Sequence, residues 1–216
     1  MPAAATTLLL IRHGETEWNR RRVFRGTADV PLNETGRRQA ELVAQALAHR
    51  RIEAAFTSPL SRARETARIA LSPLGIEPRA EERLRDICYG KWQGRPEEEV
   101  ARLWPEELER WRQAPQAARP PGGETLREVQ QRAAAAMEEI AGAHPGGTVA
   151  LFSHRVVCKL LVLQALGLGP ERFPSLRLDN CSLSALRWRE GNYTLVLLND
   201  TCHIRRAGTG VLEEDF

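Results

Sequence analysis

Three short, mostly apolar stretches of this chain run straight into charged or hydroxyl side chains. Residues 8–11 read Leu8-Leu9-Leu10-Ile11 and are followed by Arg12, His13 and Gly14. Residues 54–57 stop at Ser58-Pro59 and lead into Leu60, Ser61 and Arg62. Residues 148–152 end in Leu151-Phe152 and lead into Ser153, His154 and Arg155. A strand with one wet face alternates apolar and polar residues, whereas an uninterrupted apolar run fits a strand buried on both faces.

The intervening segments carry helical periodicity. Residues 36–50 place Leu42, Val43, Ala46 and Leu47 on one face, and residues 61–71 and 97–112 also read as helices. Thr125-Leu126-Arg127-Glu128 has the spacing of a capping box and opens a helix through Val129, Ala133, Met137 and Ile140. Residues 156–166 form a helix apolar on nearly all sides, and residues 182–188 and 193–198 read as a hairpin turned at Glu190-Gly191-Asn192. Residues 13–35 are expected as a polar loop, 76–95 as irregular chain and 115–123 as a Pro/Gly-rich connection. The acidic run Glu97-Glu98-Glu99 reads as a solvated face. The alternation predicts an α/β fold: a mostly parallel sheet flanked by helices on both faces.

Composition narrows the function classes. A chain of 216 residues with 42% hydrophobic and 27% charged residues can bury a full core without disulfides or a structural metal. The net charge of +3 gives no reason to expect a nucleic-acid partner. Lys91 and Lys159 are the only lysines, so the basic side chains are almost all arginine, whose planar fork suits phosphate and carboxylate. The four cysteines, Cys88, Cys158, Cys181 and Cys202, do not fall at metal-ligand spacing and are expected as reduced thiols. The apolar run near the start lacks a basic region before it and is too short for a membrane span. A cytoplasmic protein without a membrane or nucleic-acid partner is the expectation, with no cofactor and no metal.

Ligands of such sheets bind beyond the carboxyl ends of the strands. If the three apolar strands are neighbours, Arg12, His13, Arg62 and His154 meet at one edge, an arrangement suited to a phosphate dianion. A neutral imidazole is a competent nucleophile toward phosphorus. Donors such as Arg12, Arg62 and His154 can carry the charge on the equatorial oxygens. The amino end of the helix after His154 would face the same point, and Gly14 permits close backbone approach. No member of this set is informative alone. His49 and His144 lie at helix ends, where capping accounts for them, and His203 is read as structural.

These residues stand within longer motifs. Residues 10–19, Leu10-Ile11-Arg12-His13-Gly14-Glu15-Thr16-Glu17-Trp18-Asn19, resemble the signature of the histidine phosphatase superfamily, also called the phosphoglycerate mutase-like family. Residues 25–33, 57–63, 84–94 and 152–154 are similar to that family's further motifs in the same order. The resemblance spans nearly the whole chain. It implies a single domain over 1–216 with a small helical cap inserted at about 95–123. It implies that His13 is the phosphorylated histidine and that Arg12, Arg62 and His154 bind the phosphoryl group. Asn19, Arg25 and Gly26 match positions lining substrate or phosphate, and Asp86 falls where the family commonly has a glutamate proton donor.

Three departures from the family pattern bear on specificity. Asp86 is one methylene shorter than glutamate. Arg25 replaces a neutral residue and would favour a second anionic group on the substrate. Arg155 follows His154 where glycine is common, so its side chain either points away or narrows the pocket. Cys88 is expected as a packed, inert thiol.

The short segment 95–123 and the Pro120-Pro121-Gly122-Gly123-Glu124-Thr125 stretch resemble the phosphatase branch, as does Asn199-Asp200-Thr201-Cys202-His203. The resemblance therefore implies a phosphomonoester phosphatase acting on a small phosphorylated metabolite. Two alternatives stay open: a cofactor-dependent phosphoglycerate mutase and a protein-binding relative with weak catalysis. A homodimer is the commonest oligomer for such a chain.

Overall fold

The apolar run at residues 8–11 is the middle of a longer strand, β1 (Thr6–Arg12), in a computed structural model that describes residues 4–208. The domain boundaries expected at 1 and 216 lie outside the described residues. Leu8 and Leu10 of β1 join one buried cluster, whereas Leu9 and Ile11 join another. Successive side chains of a strand point to opposite faces, so a strand between two cores must be apolar throughout.

After β1 come the single-turn helix α1 (Glu17–Arg20), α2 (Glu34–Leu47), β2 (Ala54–Thr57), α3 (Ser61–Leu71) and the two-residue strand β3 (Arg79–Ala80). Helices α4 (Glu97–Leu103), α5 (Pro105–Gln113) and α6 (Leu126–Ala143) follow, then β4 (Thr148–Ser153) and α7 (Arg155–Ala165). The strands β5 (Leu183–Arg189) and β6 (Asn192–Asp200) and the helix α8 (Cys202–Arg206) complete the described chain.

The six strands form one sheet in the order β3-β2-β4-β1-β5-β6. The first four run parallel, and β5 and β6 add an antiparallel hairpin at the edge. The expectation of a mostly parallel sheet covered on both faces holds. Helices α6 and α7 build one core with Val149 and Leu151, and α2, α3 and α8 build the other with Ala150 and Phe152. Among the described residues no helix is long and apolar enough to cross a membrane.

Three local expectations are corrected. The loop at 13–35 contains α1, capped by Thr16, whose hydroxyl accepts from the Asn19 backbone. Helix α2 begins at Glu34 rather than Gly36, because the Asn33 side chain accepts the Gly36 N–H and caps the first turn. The helix expected over 97–112 breaks at Trp104, since Pro105 disfavours helical backbone in the residue before it and starts a new helix at its own first position. The capping box at Thr125 and Glu128 forms as read, with each side chain accepting from the other's backbone N–H.

Strands β2, β4 and β1 are neighbours in that order, and β1 pairs with β4 in register from Thr7 with Thr148 to Arg12 with Ser153. His13 and His154 are therefore the next residues on adjacent strands, and Ser58 follows the third. The three polar clusters meet at one sheet edge because the strands that carry them are adjacent and parallel.

Candidate active site

His13 is fixed through its backbone before its side chain makes any contact. Its N–H donates to Ser153 O at 2.9 Å, and its carbonyl accepts from the Asn180 side chain at 3.0 Å and the Cys181 N–H at 3.3 Å. The imidazole Nδ1 lies 2.6 Å from Gly14 O. A carbonyl can only accept, so Nδ1 carries the proton and Nε2 keeps its lone pair. Burial pushes the His13 pKa well below its ordinary value, and the charges of Arg62, Arg12 and Arg25 push it further, against the hydrogen bond to Gly14. The ring is neutral at pH 7.

Gly14 is required by packing against helix α2. A Cβ there would stand 2.5 Å from Gly36 O, and a Cβ on Gly36 would stand 2.1 Å from Glu15 O. The close approach permitted by Gly14 is thus to the backbone of α2. Its N–H donates to Thr66 Oγ1 at 3.0 Å, which ties the turn after β1 to α3.

His154 caps the amino end of α7 and faces His13, with ring centroids 5.1 Å apart. Its Nε2 is 2.7 Å from Ser58 Oγ and its Nδ1 is 3.7 Å from Asp86 Oδ2. Burial, then the charge of Arg62, lowers its pKa well below the ordinary value.

Arg62 is fully buried at the start of α3. Its Nη1 donates to Ala28 O at 2.9 Å, and its Nη2 donates to Gly26 O at 2.7 Å and to Asp86 Oδ2 at 3.1 Å. Gly26 adopts φ +51°, and a Cβ there would meet Ile87 O at 2.6 Å, so this loop needs glycine to reach Arg62. Arg12, at the end of β1, donates from Nη1 to Leu178 O at 2.7 Å. Burial, then the charge of Arg25, lowers its pKa. The Nε of Arg62 and Nδ1 of His154 have no hydrogen-bond partner among the described residues.

A narrow cleft with about 10 Å³ of room joins His13, Arg25, Gly26, Asp86, Tyr89 and Arg155. Arg25 is buried there, and its pKa falls to about 10 through burial first and Arg62 second. Arg155 does narrow the pocket: it lines the cleft and hydrogen-bonds the Tyr89 hydroxyl, whose pKa burial pushes up to about 12. Asp86 is buried, and its Oδ1 accepts from the Ile87 N–H at 3.0 Å. Among the described residues it is the one carboxylate lining a cleft that also holds Arg25 and Arg155, with Arg12 and Arg62 close by. Such an excess of guanidinium charge in a desolvated site favours a bound dianion.

Asn19 is buried in α1, where its Oδ1 accepts from the Thr16 N–H and hydroxyl at 2.9 Å each. Cys88 is half-buried and does not line the cleft. His144 binds Ile140 O and His203 binds Cys181 O, in agreement with their structural reading. Glu97, read as part of a solvated face, instead pairs with Arg112 at 2.7 Å beside a second pocket.

Sequence reasoning missed the residues that hold Asp86. Arg132 of α6 donates to the carbonyls of Arg83, Arg85 and Asp86 at 2.8, 2.7 and 3.0 Å and pairs with both oxygens of Glu124. Glu124 in turn accepts the Cys88 N–H at 2.8 Å. Nothing in the local pattern marks an arginine amid a helix as a clamp on a loop 46 residues away. Among the described residues no group of three or more His, Cys, Asp or Glu side chains is placed to hold a metal ion.

Residues 8–201 match the model of the histidine phosphatase superfamily, branch 1. The chain is 34% identical to phosphoserine phosphatase 1 of Hydrogenobacter thermophilus, covering 91% of this chain and 93% of that protein. It is 35% identical to the probable phosphoglycerate mutase GpmB of Yersinia enterocolitica, covering 91% and 94%. The solved structure of Bacillus stearothermophilus YhfR superposes with a TM-score of 0.89 at 34% identity, covering 92% of this chain and 99% of that one.

Proposed function

The chain belongs to the histidine phosphatase superfamily, and on that premise we propose that it is a phosphoric monoester hydrolase that carries the phosphoryl group on His13. The observation that carries this reading is the His13 imidazole itself. It is neutral, its Nδ1 is tied to Gly14 O, and its nucleophilic Nε2 is left among buried guanidinium groups.

In the proposed cycle the substrate phosphoryl group binds against Arg12, Arg62 and His154, with the amino end of α7 adding its dipole. Nε2 of His13 forms a bond to phosphorus as the bond to the leaving oxygen breaks. Asp86 delivers a proton to that oxygen, so the leaving group departs as a neutral alcohol. Asp86 is paired with Arg62. In the second half, Asp86 removes a proton from water, replacing the one it delivered, as the water attacks phosphorus and the bond from phosphorus to Nε2 breaks, which releases free phosphate and restores His13. Arg25, Gly26, Asn19 and Arg155 line the substrate, and the helices over 95–123 act as a cap. The substrate is a small phosphorylated metabolite.

Phosphatase-named relatives support hydrolysis, and a mutase-named relative of equal similarity keeps phosphoryl transfer between hydroxyls as the second reading. Phosphate release from a panel of phosphomonoesters in EDTA, compared between wild type and His13→Ala, separates them. Metal-free release that vanishes in the variant is the expected result. Release by neither protein, with interconversion of phosphoglycerates by the wild type, would make the chain a mutase. Inactivity in both assays would leave a binding module.

A further inference from the structure

Beside the His13 cleft, and sharing Phe24 and Arg155 with it, lies a second pocket of about 220 Å³. Leu108 and Trp111 of α5 form one wall, and Phe173 and Pro174 another. The size is below the roughly 300–1,000 Å³ of pockets that take drug-sized ligands, so a compact group fits. The lining is largely apolar and aromatic, with Trp111 and Phe173 ring centroids 6.3 Å apart.

Lys159 also lines this pocket, one helical turn beyond Arg155 on the same face of α7. It is 6% exposed. Its ammonium has no hydrogen bond or ion pair among the described residues and lies over the Phe173 ring, 4.1 Å from the centroid. The side chain is packed away from bulk solvent along its length and borders the pocket. Burial, then Arg155 and Arg12, lowers its pKa to about 7. The remaining charges of the pocket, Glu97 and Arg112, neutralise each other. The pocket therefore offers a positive end, at Arg155 and Lys159, to an otherwise apolar ligand.

Resting on the phosphatase reading, we propose that this pocket receives the leaving group of the substrate and that Lys159 selects phosphomonoesters whose leaving group carries a carboxylate on a compact apolar body. The phosphoryl group occupies the His13 cleft, the apolar body passes Phe24 and Arg155, and the carboxylate ends at Lys159.

The test compares kcat/KM for 4-carboxyphenyl phosphate and 4-methylphenyl phosphate in wild type and Lys159→Met. The wild type should favour the carboxylated substrate, and the variant should lose roughly tenfold to a hundredfold of that preference, mainly through KM. No preference in the wild type, or the same preference in both proteins, would overturn the proposal. Where neither substrate is hydrolysed, the phosphatase reading is judged on the wider panel above, and calorimetry with 4-hydroxybenzoate and 4-methylphenol decides on the pocket. Tighter binding of the acid that depends on Lys159 supports the pocket, and equal or undetectable binding of the two by the wild type overturns it. Should Lys159→Met fail to fold, the wild-type preference and the wild-type calorimetry still decide.

Discussion

Asp86 Oδ2 lies 3.1 Å from Nη2 of the fully buried Arg62, so the shorter carboxylate does reach that guanidinium. Its reach to a leaving oxygen can be tested by leaving-group chemistry. Asp86→Asn should lower kcat about 10²–10⁴-fold on alkyl phosphates. The loss should be much smaller on p-nitrophenyl phosphate, whose phenolate leaves without a proton. Equal losses on both substrates would mean that Asp86 serves to hold Arg62 and His154 rather than to donate a proton.

Arg132 should behave as a positioning residue for Asp86, because its guanidinium holds three carbonyls of the segment that carries the carboxylate. Arg132→Met should lose activity preferentially on alkyl phosphates, like Asp86→Asn. The double variant should be little worse than Asp86→Asn alone, since residues acting through one group are not additive. Additive losses would separate Arg132 from the acid.

Gly36→Ala offers a stability test in which two effects oppose. Alanine in a helix is favoured over glycine by about 1 kcal/mol. Here its Cβ would stand 2.1 Å from Glu15 O, a backbone atom next to the His13 turn. The clash should win, costing roughly 1–3 kcal/mol net in urea unfolding and lowering turnover as the turn shifts. A variant as stable as wild type would show that this junction can yield.

Lys159 predicts a pH dependence with a definite sign. Its folded pKa of about 7 lies below the ordinary 10.5, so between those values the unfolded chain binds more protons. Lys159 therefore destabilises the fold most at pH 7 and below, and the penalty fades as pH rises toward 10.5. Lys159→Met should be more stable than wild type at pH 7, with the gap in unfolding free energy closing by pH 10. A gap that is constant with pH would mean the ammonium is better solvated than its burial implies.

His13 should titrate far from its ordinary range, because burial and the charges of Arg62, Arg12 and Arg25 all disfavour the imidazolium. The His13 Cε1 proton resonance, assigned by comparison with His13→Ala, should hold its position from pH 8 down through 6.5. A midpoint near 6.5 would contradict the buried, arginine-ringed site.

Much of this arrangement was legible because the relevant signals are local. Residues 8–11 and 148–152 had to be strands covered on both faces, since no half-exposed strand tolerates such runs. The polar residues at their ends then converge once the strands are adjacent. The Thr125 capping box was equally readable, as both partners lie within one turn. What escaped was either subtle or distant. The cap of α1 uses Asn19 where glutamate or glutamine is the usual partner, and the break at Trp104 depends on backbone sterics before Pro105. The hold of Arg132 on Asp86 and the seclusion of Lys159 arise from helix faces meeting loops far away in sequence, which periodicity does not encode.

In the proposed cycle the phosphoryl group rests on His13 between its two transfers. The most direct measurement mixes the protein with a turned-over phosphomonoester, quenches within milliseconds at alkaline pH, where phosphohistidine survives, and maps the modified peptide by mass spectrometry. One phosphoryl group on the peptide containing His13, absent from His13→Ala and chased by water into free phosphate, is the predicted result. Turnover by the wild type with no phosphorylated histidine, or undiminished turnover by His13→Ala, would contradict the account.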